Sequence, residues 1–180
     1  KSKKLEGLRH RWVITSDKPT DAWLADYHHV YYRSWKPNEP FPVFIDELVH
    51  RLARNRELGF GLLSIDDRPV AAQIWIFRSD SAYIYKLAYD PAYRELSPGT
   101  LLSARLFEYA IRERGVKTID YLTGDDEYKK QWTTSSRPLY GLQIANPKTF
   151  RGKLGRLRNA VSEIKQQERQ SCRCPDPDQK

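Results

Sequence analysis

Two rhythms of apolar side chains divide the sequence. Where they recur three and four apart they predict helices, and where aromatic and β-branched residues crowd together they predict strands. Arg9 to Ser16, with Trp12, Val13 and Ile14, reads as a first strand. After a turn at Asp17 to Thr20, the spacing of Trp23, Leu24, Tyr27, Val30, Tyr31 and Trp35 predicts a helix from Asp21 to about Trp35. Lys36-Pro-Asn-Glu-Pro-Phe-Pro42 breaks it. Phe44, Ile45, Leu48, Val49 and Leu52 share one face of a second helix, which Gly59 is expected to stop. Phe60 to Ile65, Pro69 to Phe77 and Ala82 to Tyr89 are strand-like runs joined by tight turns, and read as an antiparallel meander.

The next stretch, Ser97-Pro98-Gly99-Thr100-Leu101-Leu102, turns a strand into a helix and organises the rest of the chain. Ser97 is expected to cap that helix, Pro98 suits its first position, and Gly99 allows another group close to the backbone. Leu102, Leu106, Tyr109 and Ala110 give the helix an apolar face, and Gly115 ends it. Its start presents free N–H groups and a positive partial charge, so it reads either as an anion site or as simple structural punctuation. Val116 to Leu122 is a strand, and strand, helix, strand in sequence implies a parallel right-handed crossover. A short helix is expected from Gly124 to Trp132 and a last strand from Leu139 to Ala145. The implied architecture is an α/β fold with a central mixed sheet flanked by helices.

Length suits one domain with a real core, and no stretch is apolar enough to cross a membrane. The opening Lys-Ser-Lys-Lys, without methionine, suggests a piece of a longer protein. Net charge is +8, and it sits at the ends. Residues 1–12 carry five basic and one acidic side chain, and residues 147–173 carry eight basic and two acidic, whereas 13–146 has 17 basic against 18 acidic. A neutral body argues against a nucleic-acid-binding module. From Lys148 to about Gln170, Leu154, Leu157, Val161 and Ile164 lie on one side of a basic amphipathic helix, suited to an anionic membrane surface or to docking on protein. Cys172 and Cys174 fall in a polar tail read as disordered, and the cysteine-free core fits a reducing, cytoplasmic setting. His10, His28, His29 and His50 have no metal-ligand spacing, so no metal is expected.

Four motifs in order, Lys86-Leu-Ala-Tyr-Asp90, Leu96-Ser-Pro-Gly-Thr-Leu-Leu102, Ile119-Asp-Tyr-Leu-Thr-Gly-Asp125 and Tyr128-Lys-Lys-Gln-Trp132, resemble the GNAT acyltransferase superfamily. Within it they are similar to the bacterial CelD-like branch, itself similar to Fem-type aminoacyltransferases. The resemblance covers roughly residues 9–146. It divides the chain into a linker remnant at 1–8, a GNAT-like domain at 9–147, the basic helix at 148–170 and the tail at 171–180. In that branch two GNAT-like halves are usual, so the chain resembles the second half, and the first half becomes an expected partner.

The resemblance implies an enzyme that moves an acyl group from acetyl-CoA or a longer acyl-CoA to a small amine or envelope-precursor acceptor, in envelope or polysaccharide assembly. It implies a cytoplasmic location, or a peripheral one at the inner membrane. The alternatives are a Fem-type transferase using charged tRNA, an acyl-carrier-protein donor, or a non-catalytic binding domain. In GNAT enzymes the strand before the central helix splays from the strand after it. By that analogy Leu87, Ala88 and Tyr89 line the thioester arm, Ser97, Gly99, Thr100 and Leu101 meet the phosphates, and Arg94 and Arg105 add charge. The usual loop is Arg/Gln-x-x-Gly-x-Gly/Ala, whereas Arg94-Glu-Leu-Ser-Pro-Gly99 keeps one glycine.

Acyl transfer to an amine needs a held acceptor, a base and a proton donor for the leaving thiolate. Asp125 or Asp120 is the candidate base or acceptor-positioner, and Tyr128 the proton donor. Lys86 and Lys129 would bind an anionic acceptor or buttress the carboxylates, and Trp132 would line the acceptor side. Each also has a plain structural reading: a capping acid, a strand-end acid, core aromatics, a solvated lysine. No Ser-His or Cys-His arrangement is visible, so direct transfer is favoured over a covalent intermediate.

Overall fold

A computed structural model of the protein describes residues 5–124, 126–142, 144, 146 and 148–151. The chain divides into two compact units, Lys1–Trp132 and Thr133–Lys180.

The first unit is built on one five-stranded sheet in the order β1-β2-β3-β4-β5. β2 (Leu58–Ile65), β3 (Arg68–Arg78) and β4 (Ser81–Tyr89) form the expected antiparallel meander, β1 (His10–Thr15) adds to it antiparallel to β2, and β5 (Thr118–Asp120) lies parallel to β4. The crossover between β4 and β5 is α3 (Pro98–Arg112), as the order of elements required. α1 (Asp21–Arg33) starts where the Thr20 hydroxyl accepts the Trp23 N–H, and α2 (Pro42–Arg54) starts with proline at its first position.

Each sheet face has its own core. On one, Leu63, Trp75, Phe77 and Ile84 meet Leu102, Leu106 and Ala110 of α3. On the other, Phe60, Leu62, Ile74 and Ala88 meet Tyr27, Val30, Ile45 and Val49 of α1 and α2. A central sheet covered on both faces explains why β2 is buried throughout and reads as a continuous apolar run.

Several sequence expectations are corrected. α2 does not run to Gly59. It ends at Arg54, where Arg56 takes a left-handed φ of 56° and the Glu57 N–H reaches back to the Leu52 carbonyl. Gly59 instead lies inside β2, where a Cβ would fall 2.7 Å from the Phe77 ring and 2.9 Å from Trp75 Cβ. The fifth strand is three residues rather than seven, and the helix expected from Gly124 is α4, Glu127–Lys130. In the second unit, Leu139 to Leu142 and Ile144 form no strand. Leu139, Tyr140, Leu142 and Ile144 are exposed, so the apolar run has no buried face to hold it in a sheet. The basic helix lies outside the described residues beyond Arg151, as does the whole 171–180 tail.

Candidate active site

The turn from β4 into α3 builds a cavity. Asp90 follows β4 and its carboxylate accepts the Ala92 N–H, starting a 3-10 stretch over Pro91–Leu96 that is kinked at Tyr93. Ser97 then reverses the chain with φ 53° and ψ 47°, and α3 begins at Pro98. The expected side-chain cap is absent: the Ser97 hydroxyl makes no capping bond, because the left-handed backbone turns it away from the helix start. A serine held in this left-handed conformation costs about 1–2 kcal/mol.

The resulting cavity, about 230 Å³, is lined by Tyr89, Arg94, Ser97, Gly99 and Thr100, all five expected on the donor side. The first α3 bond runs from the Leu101 N–H to the Ser97 carbonyl at 3.1 Å, so Leu101 has no N–H to offer and its side chain is core. The N–H groups of Gly99 and Thr100 have no acceptor within the helix. With the Arg94 guanidinium they make a positive, donor-rich pocket. Arg105 is not part of it; it lies over the Trp12 ring at 5.5 Å and pairs with Glu108. A more open depression of about 540 Å³ over Pro40, Phe41, Pro42, Val43 and Phe44 offers no charged group to a phosphate.

β5 pairs with β4 through Ser81, Ala82 and Tyr83 and ends at Asp120, so β4 from Ile84 onward has no partner on that edge, which leaves an opening. The opening runs along Leu87 to Tyr89 towards the cavity. A β-bulge at Tyr85, between Ile84 opposite Trp75 and Lys86 opposite Ile74, turns Tyr85 and Lys86 to the same face as α1. Ala88 also packs into the α1/α2 core, so its side chain is not free to line an acyl arm, whereas Leu87 and Tyr89 face α3.

On the far side of the opening, the Asp120 carboxylate accepts the Leu122 N–H at 2.7 Å and so shapes the turn after β5. Lys129 is mostly buried; its ammonium donates to the Thr123 carbonyl at 2.6 Å and pairs with Asp126 at 3.2 Å, so it buttresses this loop. Burial, then Asp126, pushes the Tyr128 phenol above its ordinary range, which keeps it protonated. Its ring packs edge-on to Tyr121. Trp132 stacks on Phe107 at 4.9 Å and is a packing residue of the α3 face. Asp125 lies outside the described residues.

Lys86 has a partner that sequence reading did not supply. Glu39, in the 34–41 segment between α1 and α2, pairs with its ammonium, both largely buried, and Lys86 lies over the rings of Tyr31 and Tyr85. The buried Gln73 was also missed. It donates to the Gly99 carbonyl at 3.2 Å and to Ser103 Oγ at 2.8 Å, and accepts the Trp75 indole N–H at 2.8 Å. It fixes the first turn of α3 to β3. A glutamine amid the apolar run of Val70, Ala71, Ala72, Ile74 and Trp75 was the available signal.

A mixed sheet whose fourth strand runs on unpaired past a short parallel fifth, with a donor-lined cavity at the N-terminus of the intervening helix, is the architecture of acyl-CoA-dependent GNAT acyltransferases. The chain belongs to the acetyltransferase (GNAT) domain family, whose family model matches residues 1–130. No curated protein matches it. Among solved structures it is similar to the aminoglycoside N-acetyltransferase AAC(6')-Iy in complex with CoA, at 10% identity and TM-score 0.58 over 76% of this chain and 96% of that one. An acetyltransferase of Trypanosoma brucei matches at 13% identity and TM-score 0.55 over 76% and 100%. A ribosomal-protein-alanine N-acetyltransferase of Escherichia coli matches at 19% identity and TM-score 0.49 over 61% of this chain, which spans 64% of that one. At these identities the likeness is one of fold.

Proposed function

We propose that this chain binds acyl-CoA with its pyrophosphate at the start of α3 and its acyl arm along the unpaired half of β4, and transfers the acyl group directly to an amine. The observation that carries this reading is the junction of the Tyr89, Arg94, Ser97, Gly99 and Thr100 cavity with the unpaired edge of β4 beyond Tyr83. Two backbone N–H groups and a guanidinium suit a phosphate, and the strand edge suits an amide-bearing arm. In the step itself the acceptor amine attacks the thioester carbonyl, and the protonated Tyr128 phenol supplies the proton to the leaving thiolate. Asp120 or Asp125 takes the ammonium proton or orients the acceptor. The run of four motifs supports a CelD-like assignment, and with it an amine of a bacterial envelope or polysaccharide precursor as acceptor.

The test is thermal melting with acetyl-CoA, free CoA and longer acyl-CoAs, because a ligand that binds only the folded state raises its stability. A rise with acyl-CoA that disappears in Gly99→Asp and shrinks in Arg94→Ala supports the reading. Absence of a rise with any of these ligands, in a chain whose far-ultraviolet spectrum shows it folded, refutes it.

A further inference from the structure

The end of α1 is seated on the two residues that lead from β4 into the donor cavity, Tyr89 and Asp90. Arg33 is the last residue of α1, and its Nε donates to Asp90 Oδ2 at 2.6 Å. The other oxygen of the same carboxylate accepts the Ala92 N–H at 3.0 Å, and so starts the 3-10 stretch that carries Arg94 and leads to Ser97. The Asp90 side chain is only 8% exposed, whereas Arg33 is half-exposed. Ser34 stops the helix in an extended conformation, ψ 173°, with its hydroxyl donating to the Tyr31 carbonyl at 2.7 Å. The chain then delivers Trp35, whose ring packs on Tyr89 at 4.7 Å. Tyr89 in turn lies against Gly99, with its Cδ1 3.1 Å from where a Cβ on that glycine would fall. A helix that contributes none of the lining residues therefore bears on the cavity at two points.

We infer that Arg33 is a positioning residue for the acyl-CoA phosphates: by cancelling the charge of Asp90 it keeps the turn that builds the cavity favourable to an anion. The inference rests on the acyl-CoA reading given above. Asp90 is needed in the turn for the Ala92 N–H, yet it brings a negative charge one residue from Tyr89 and four from Arg94. A nearly buried carboxylate stripped of its cation stays in that turn as an uncompensated charge, which opposes a bound phosphate and works against Arg94. The contact of Trp35 with Tyr89 holds the end of α1 in place, so that the guanidinium stays on Asp90 rather than in solvent.

The experiment measures CoA affinity by titration calorimetry, at a temperature where melting shows each variant folded. Arg33→Gln is expected to weaken CoA roughly tenfold, and adding Asp90→Asn, which keeps an acceptor for the Ala92 N–H and removes the charge, to bring affinity back to within about threefold of the parent. Asp90→Asn alone is expected to bind CoA at least as tightly as the parent. A contact that only stabilises the fold predicts otherwise: Arg33→Gln lowers the melting temperature without moving the affinity of the folded protein, and Asp90→Asn rescues nothing. CoA binding by the parent, with Arg33→Gln within about twofold of it or the double variant no tighter than Arg33→Gln, overturns this inference alone. Weaker binding by Asp90→Asn than by the parent overturns it too, and decides the matter even where Arg33→Gln fails to fold. No binding by the parent overturns it together with the acyl-CoA reading.

Discussion

Gln73→Leu is the substitution that ties the fold to the site. The side chain is wholly buried, and its amide makes three hydrogen bonds: to Ser103 Oγ, to the Gly99 carbonyl and from the Trp75 indole. Leucine fills nearly the same volume, so the loss is of polar partners rather than of packing. Ser103 can turn its hydroxyl to the carbonyl four residues back, that of Gly99, as serines in helices do. Trp75 has no such recourse, since its ring is buried and its N–H is left without an acceptor. One orphaned buried donor costs about 1–3 kcal/mol. For a chain of this size each kcal/mol lowers the melting temperature by about 2–4 °C. The urea midpoint should therefore fall with an unchanged m-value. Acetyl-CoA affinity should weaken a further several-fold in the folded variant, because the Gly99 turn has lost its tether to β3. A variant within 0.5 kcal/mol of the parent, a difference small even for surface substitutions, with unchanged CoA affinity would refute the account of Gln73 as the positioning residue of α3.

Ser97→Gly relieves a left-handed serine, so stability by urea unfolding should hold or rise by up to about 1 kcal/mol with CoA binding retained, while Ser97→Val should lose both. Gly59→Ala forces a methyl against Phe77 and Trp75, both buried, and should cost about 1–3 kcal/mol by the same measurement. Burial raises the Tyr27 phenol above its ordinary range, and its oxygen is a buried atom with no hydrogen-bond partner. The folded state therefore keeps a proton that the unfolded chain releases. That contribution is complete below about pH 10 and declines as pH rises above it. Unfolding midpoints measured across that range should fall less steeply in Tyr27→Phe than in the parent; identical slopes would count against the assignment.

How far the sequence carried the structure differs from element to element. The α1 and α2 faces, the meander and the parallel crossover were all legible, because each depends on periodicity and turn chemistry within a few residues. The cavity at the start of α3 is local for the same reason: its five lining residues all fall in one continuous stretch, Tyr89 to Thr100. Ser97 was read as a side-chain cap, and the structure gives it left-handed dihedral angles and no capping bond instead. Gly59 was misread because a glycine after a helix is a stop signal unless a neighbouring strand demands the missing Cβ, and Trp75 and Phe77 are strand partners remote in sequence.

By itself, then, the sequence determined the order and type of the elements and the local turn that opens α3. The tertiary structure alone decided that β5 ends after three residue pairs with β4, that Glu39 claims Lys86, and that Gln73 holds Gly99. Local propensities act over one turn of chain. Pairings between residues separated by 26 positions, as from Gln73 to Gly99, or 47, as from Glu39 to Lys86, form only when both faces of the sheet are packed.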